Sequence, residues 1–251
     1  MSDPIQHECG IALLRLKKPL EYYLDKYGSA LWGLNKMHLL MEKQHNRGQD
    51  GAGIGCVKIG AENGEAFLFR DREIGAQGLT QIFTRQIKTY SDKMREGVIV
   101  PEFPETVKRH FDFGGELLLG HLRYGTSGNF DSVSCHPYAR KSIWPTRNLL
   151  VAGNFNLTNT SELNSSLTER GAHVIYSTDT QSILEEIGFW LDEEHDRLFK
   201  AFKDQGLEGA AVQSEISKHM DIGNVLRKAA KNWDGGYAIA GLVGNGDSFV
   251  I

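Results

Sequence analysis

A cysteine stands at position 9 of this 251-residue chain, in HECGIALLRL, behind a short polar stretch and directly before a glycine and an apolar run. A thiol with a pKa near ~8.5 is only a few per cent thiolate at neutral pH, so a nucleophilic cysteine needs a base or a lowered pKa. Removal of residues 1–8 as a propeptide would make Cys9 the first residue. A chain-terminal amine titrates near ~7.7–8.0, so part of it is free at pH 7 to take the thiol proton. Cys9 equally fits a small buried hydrophobe, and its surroundings must decide between the two.

Three glycine-rich polar clusters sit where strands would begin or end: QHNRGQDGAGIG from Gln44, GHLRYGTSG from Gly120 and VAGNFNLTN from Val151. Each alone has an ordinary account. Arg123 after an apolar run can be a strand end reaching water, and Asn154 and Asn156 can be turn residues. Together they form an ordered series with the cysteine.

That series is Cys9-Gly10-Ile11, Arg47-Gly48-Gln49-Asp50, Gly120-His121-Leu122-Arg123-Tyr124, Asn156-Leu157-Thr158-Asn159 and Ser177-Thr178-Asp179. It resembles the glutamine-hydrolysing domain of class II, N-terminal-nucleophile glutamine amidotransferases, most closely the amidophosphoribosyltransferase branch, over nearly the whole chain. The resemblance implies an α+β fold, a four-layer αββα sandwich of two antiparallel sheets, spanning residues 9–251 behind the propeptide. It implies hydrolysis of L-glutamine to glutamate and ammonia through a thioester on Cys9, feeding phosphoribosylamine formation in purine biosynthesis. It further implies that Arg123 pairs with the substrate α-carboxylate and Asp179 with its α-ammonium, chemistry that suits a planar guanidinium and a carboxylate. Thr126 matches a substrate-holding position. Asn154 and the backbone N–H of Phe155 match an oxyanion pair, and Arg47 and Asp50 match supports of the nucleophile, although a structural ion-pair role explains those two nearly as well.

Two departures from the family pattern stand out. Asn46 occupies the place of a usual histidine, with His45 one position earlier, and Asn154-Phe155-Asn156 replaces Asn-Gly-Asn. If the backbone at Phe155 needed a positive φ, that residue would be strained. The alternatives are another class II amidotransferase, another N-terminal-nucleophile hydrolase, or an inactive regulatory module of the same fold.

Elements must place these residues. CGIALLRL, GAGIGCVKI, FLFR, ELLLGHLR and NLLVAG read as strands, and Leu31, Leu34, Met37 and Met41 recur at helical spacing in ALWGLNKMHLLMEK. Asn159 with Glu162 resembles a helix start closed by Gly171, residues 183–191 look helical, and GGYAIAGLVGNGDSFVI reads as a hairpin. The charged stretch from Asp71 to Phe113 is expected to be an irregular excursion. The apolar end at Ile251 suggests a chain cut from a longer one, with a phosphoribosyltransferase half beyond it.

Composition narrows the partners. A net charge of −4 without a Lys/Arg block argues against nucleic acid or an anionic membrane surface, and no apolar run approaches the ~20 residues of a bilayer span. Cys9, Cys56 and Cys135 have neither zinc-site nor disulfide-scaffold spacing, and His121 and His136 read as structurally satisfied histidines, so no metal and no cofactor are expected. The expected setting is cytoplasmic, with a homo-oligomer as one expected form.

Overall fold

Glycine-rich and leucine-rich runs build the first sheet. The computed structural model describes residues 9–125, 135–175 and 178–251. In it β1 (Gly10–Arg15), β2 (Gly51–Val57), β3 (Leu68–Ile74) and β4 (Leu117–Arg123) pair in the order β1-β4-β2-β3. All three pairings are antiparallel, with Gly10 opposite Leu122 and Gly53 opposite His121. Side chains alternate between the faces of a strand, so Leu118, Gly120 and Leu122 share one face of β4 while His121 and Arg123 share the other.

Four helices accompany this sheet: α1 (Leu20–Tyr27), α2 (Trp32–Lys43), α3 (Gly78–Arg95) and α4 (Pro104–His110). Leu34, Met37 and Met41 of α2 and Leu79, Ile82 and Phe83 of α3 form one core with Ala12, Ile54, Leu118 and Leu122. Contact is close enough at Gly120 that a Cβ there would lie 2.6 Å from Met41 Sδ and 2.7 Å from Met37 Sδ. Burial of such side chains is the main stabilising term, about 1.5–3 kcal/mol for each.

The stretch between Asp71 and Phe113 is not the irregular excursion that its composition predicts. It holds part of β3, the 18-residue α3 and α4. The charges that hid α3 lie on its outer side, where the Arg85 guanidinium binds Asp71 at 2.8 Å and Glu73 at 3.2 Å, both on β3. Four apolar or small residues on the inner side suffice for the helix.

The second sheet has the order β5-β6-β7-β8, from β5 (Tyr138–Arg140), β6 (Leu149–Leu157), β7 (Gly235–Val243) and β8 (Ser248–Val250). β5 runs antiparallel to β6 and β7 to β8. The expected terminal hairpin is therefore present, its turn closed by Gly246 at φ 101°. α5 (Thr160–Glu169), α6 (Asp179–Asp204), α7 (Gly209–His219) and α8 (Ile222–Ala229) complete the chain. Leu149, Val151, Leu157, Ile239 and Val243 of this sheet bury against Leu163, Ile183, Ile187, Val225 and Leu226 of its helices.

Two compact units result, one of residues through Pro137 with Ala152–Asn154, the other of Tyr138–Val151 with Phe155–Ile251. Each is a four-stranded sheet with helices, so the chain is α+β with two antiparallel sheets, as the motifs imply.

Candidate active site

Cys9 stands immediately before β1, half-buried, at the end where β1 meets the last residues of β4. The Tyr124 N–H donates to Cys9 Sγ at 3.5 Å, and the Tyr124 carbonyl lies 3.9 Å from the same sulfur. Gly10 keeps this corner tight, since a Cβ there would come within 3.3 Å of both Gln44 Oε1 and the Leu122 side chain.

Arg123 is the residue before Tyr124, and its side chain is 8% exposed. The backbone around it is fixed by Asp50, whose N–H donates to the Arg123 carbonyl at 2.9 Å and whose carboxylate accepts the Gly125 N–H at 2.7 Å. Charge-assisted bonds of this kind are stronger than neutral ones. Gly48 lets the Arg47–Asp50 segment lie against β4, because a Cβ there would sit 2.6 Å from the Leu122 carbonyl oxygen. Cys9, Arg123, Tyr124 and Asp50 thus share one end of the first sheet. Arg47 lies in the 3-10 turn His45–Arg47, exposed like Asn46.

The Arg123 guanidinium also hydrogen-bonds the Cys135 thiol, which burial pushes above its ordinary pKa while Arg123 and Arg72 pull it down. Arg72 holds the Cys135 carbonyl at 2.8 Å. Cys135 is therefore a neighbour of the proposed carboxylate-binding group, a placement that the sequence did not reveal. Cys56 is fully buried, its thiol pushed up to about 12 by burial, which makes it inert as a nucleophile.

Asn154 follows Gly153 on β6, and Gly153 is bonded on both sides by imidazoles. Its N–H donates to His136 Nδ1 at 3.2 Å, and its carbonyl lies 3.2 Å from His121 Nε2. In the sequence both histidines read as satisfied structural residues. Among the described residues no non-glycine residue has a positive φ, so the feared strain at Phe155 is absent.

Phe155 and Asp179 belong to the second unit. Phe155 packs partly buried against that unit's core. Asp179 opens α6, its carboxylate accepting the Thr180 N–H at 2.8 Å and also the Leu157 N–H. Burial raises its pKa, and those N–H groups act in the opposite direction. The motif residues after Leu157 have a different duty. Thr158 N–H donates to the Asp234 carbonyl at 2.9 Å, and Asn159 Nδ2 donates to the Asn232 carbonyl at 2.7 Å. Asn159 precedes α5 as expected but makes no side-chain cap bond, because its amide is engaged with Asn232 and Asp234. Thr126, Ser177 and residues 1–8 lie outside the described residues.

Among the described residues no helix is long and apolar enough to cross a membrane. No family model matches the chain. An amidophosphoribosyltransferase from Synechocystis sp. is similar to it, at 36% identity over 85 residues that make up 33% of this chain and 16% of that protein. A solved structure of a glutamine phosphoribosylpyrophosphate amidotransferase from B. subtilis, complexed with ADP and GMP, covers 83% of this chain and 32% of its own at 21% identity and a TM-score of 0.47. A solved structure of the allosteric regulatory enzyme of purine biosynthesis covers 94% of this chain and 35% of its own, at 20% identity and a TM-score of 0.47. The chain spans about a third of the length of these solved structures. Its resemblance to amidophosphoribosyltransferases, read first from motifs, holds in the direct comparison of sequences.

Proposed function

We propose that this chain hydrolyses L-glutamine to glutamate and ammonia, with Cys9 as the nucleophile. The observation that carries the reading is the shared corner of the first sheet, where Cys9 Sγ accepts the N–H of Tyr124, the residue next to the buried Arg123. The residue proposed as nucleophile and the arginine proposed to read the carboxylate thus belong to one strand end, where Asp50 holds the backbone of Arg123 and Gly125.

In the proposed reaction residues 1–8 are removed and the freed amine of Cys9 takes the thiol proton. The thiolate attacks the side-chain amide carbon of glutamine, and the negative charge that develops on oxygen is met by Asn154 and the Phe155 N–H. Ammonia leaves with the proton held by the amine, and water then hydrolyses the thioester to release glutamate. Arg123 holds the α-carboxylate, Asp179 the α-ammonium, and Thr126 adds a further contact to the substrate. A free amino acid is what that pair of charges selects. Arg47 and Asp50 support the nucleophile's corner.

The destination of the ammonia is part of the same proposal. The relative's name supports a phosphoribosyl acceptor; a phosphoribosyltransferase half that holds it, and action in the cytoplasm in purine biosynthesis, belong to the same proposal. Glutamate release by purified protein, with the first residue read by N-terminal sequencing, tests the reading. Turnover that begins at Cys9 and vanishes in Cys9→Ala supports it; full turnover from a chain that still starts at Met1 or Ser2 refutes it.

A further inference from the structure

The histidine pair at Gly153 has a use that packing alone does not need. A carbonyl only accepts, so the ring facing it, His121, carries its proton on Nε2; an N–H only donates, so His136 Nδ1 is bare. Both tautomers are set by one glycine. The rings lie 4.3 Å apart between centroids and are 1% and 7% exposed. Burial first, and then the charge of Arg123, hold both rings below their ordinary pKa, with His121 and Arg72 acting further on His136, so they stay neutral.

β5 pairs with β6 at Tyr138 opposite Val151, and two residues along β6 lies Gly153, beyond the last residue that β5 covers. There His136 Nδ1 meets the Gly153 N–H and His121 Nε2 its carbonyl. His136 is itself anchored, because Arg72 binds the preceding carbonyl of Cys135 at 2.8 Å and β2 passes close beneath: a Cβ on Gly53 would lie 1.8 Å from the His136 carbonyl oxygen. His121 is fixed by β4, opposite Gly53.

We propose that His121 and His136 are positioning residues that clamp both hydrogen-bonding groups of Gly153 and so aim Asn154 at the oxyanion. The Gly153 carbonyl and the Asn154 N–H share one rigid peptide plane, so fixing the carbonyl sets the direction from which Asn154 departs. A catalytic donor misplaced by about 1 Å loses much of its effect. The inference rests on the reading of Asn154 as an oxyanion donor.

The test pairs a variant that deletes each bond with one that keeps it. His136→Leu and His121→Leu should lower kcat for glutamine about tenfold or more, with KM changed by less than about twofold. His136→Gln and His121→Gln, which retain an acceptor and a donor, should recover most of kcat. Alkylation of Cys9 by iodoacetamide, which develops no oxyanion, should run at the wild-type rate in all four. Hydrogen exchange at the Gly153 amide should accelerate in His136→Leu and remain slow in His136→Gln. Equal kcat in leucine and glutamine variants, or alkylation lost in step with kcat, would show a merely structural pair. Unchanged Gly153 exchange in His136→Leu of an active protein overturns the clamp alone, whereas a wild-type protein without glutaminase activity overturns the glutaminase reading and the clamp's catalytic role with it.

Discussion

The ends of β4 and β6 carry the densest motifs in the sequence, and they use them differently. At the end of β4 the motif gathers the residues proposed to do the chemistry: Arg123 is buried, the Tyr124 N–H meets Cys9, and Asp50 binds the Gly125 N–H. At the end of β6, Thr158 and Asn159 instead bind Asp234 and Asn232, while Gly235 at φ 130° brings the start of β7 so close that a Cβ there would lie 2.3 Å from the Asn156 carbonyl oxygen. Those bonds fix a backbone direction, and Asp179 is tied to it through the Leu157 N–H. One motif collects the thiol, the guanidinium and the carboxylate at a strand end; the other fixes the direction of a strand. A polar cluster in a sequence therefore marks a place where geometry is demanding, and only packing shows whether its side chains face a ligand or brace the chain.

The comparison breaks first at Asn154. Asn154→Ala should reduce kcat by about 10²–10³, equivalent to ~3–4 kcal/mol, if its side chain meets an oxyanion, and steady-state kinetics with an unchanged melting temperature would check it. A loss in stability with kcat intact would place Asn154 with the braces.

Acid should act on the β4 side. His121 has its pKa lowered to about 4 from an ordinary 6.5 by burial, so between those values the unfolded chain binds more protons than the folded one. Stability is fully present above about pH 6.5 and falls as the pH drops toward 4, by about 3 kcal/mol from this residue at 1.36 kcal/mol per pKa unit, in the same direction as His136. Urea midpoints measured from pH 7 to pH 4 should show the decline, and His121→Gln should remove the share of it that belongs to His121 while that of His136 remains.

Arg123→Lys should lower kcat/KM for glutamine by about tenfold or more, since a lysine lacks the planar fork. Hydrolysis of a glutamine analogue without the α-carboxylate should barely change. Equal losses on both substrates would make Arg123 a partner of Cys135 and nothing more. The smallest effect is expected at the brace: Asn159→Ala should cost about 1 kcal/mol of stability from lost hydrogen bonds and leave KM for glutamine near wild type, read by denaturant unfolding beside kinetics.

Much of this was legible in residue order. Apolar runs located β1, β2, β4 and the start of β6, helical spacing located α2, and Gly244-Asn245-Gly246 marked the β7–β8 turn. α3 escaped because charged side chains, among them Arg85, interrupt the spacing of the residues that touch the core. The cap expected of Asn159 failed because Asn232 and Asp234, more than 70 positions away, compete for the same amide. The histidine clamp was invisible for the same reason: His121 and His136 lie 32 and 17 positions from Gly153, and neither local pattern points to it. Sequence shows which groups are present; long-range packing decides which of them meet.

Cys135 makes the decisive measurement a sharp one, because it too lies beside Arg123 and could be mistaken for the nucleophile. Purified protein treated with an electrophilic glutamine analogue, then weighed intact and mapped by peptide mass, should carry one adduct on Cys9 and none on Cys56 or Cys135. An adduct on Cys135, or labelling that persists in Cys9→Ala, would contradict the assignment of Cys9 and with it the proposed reaction.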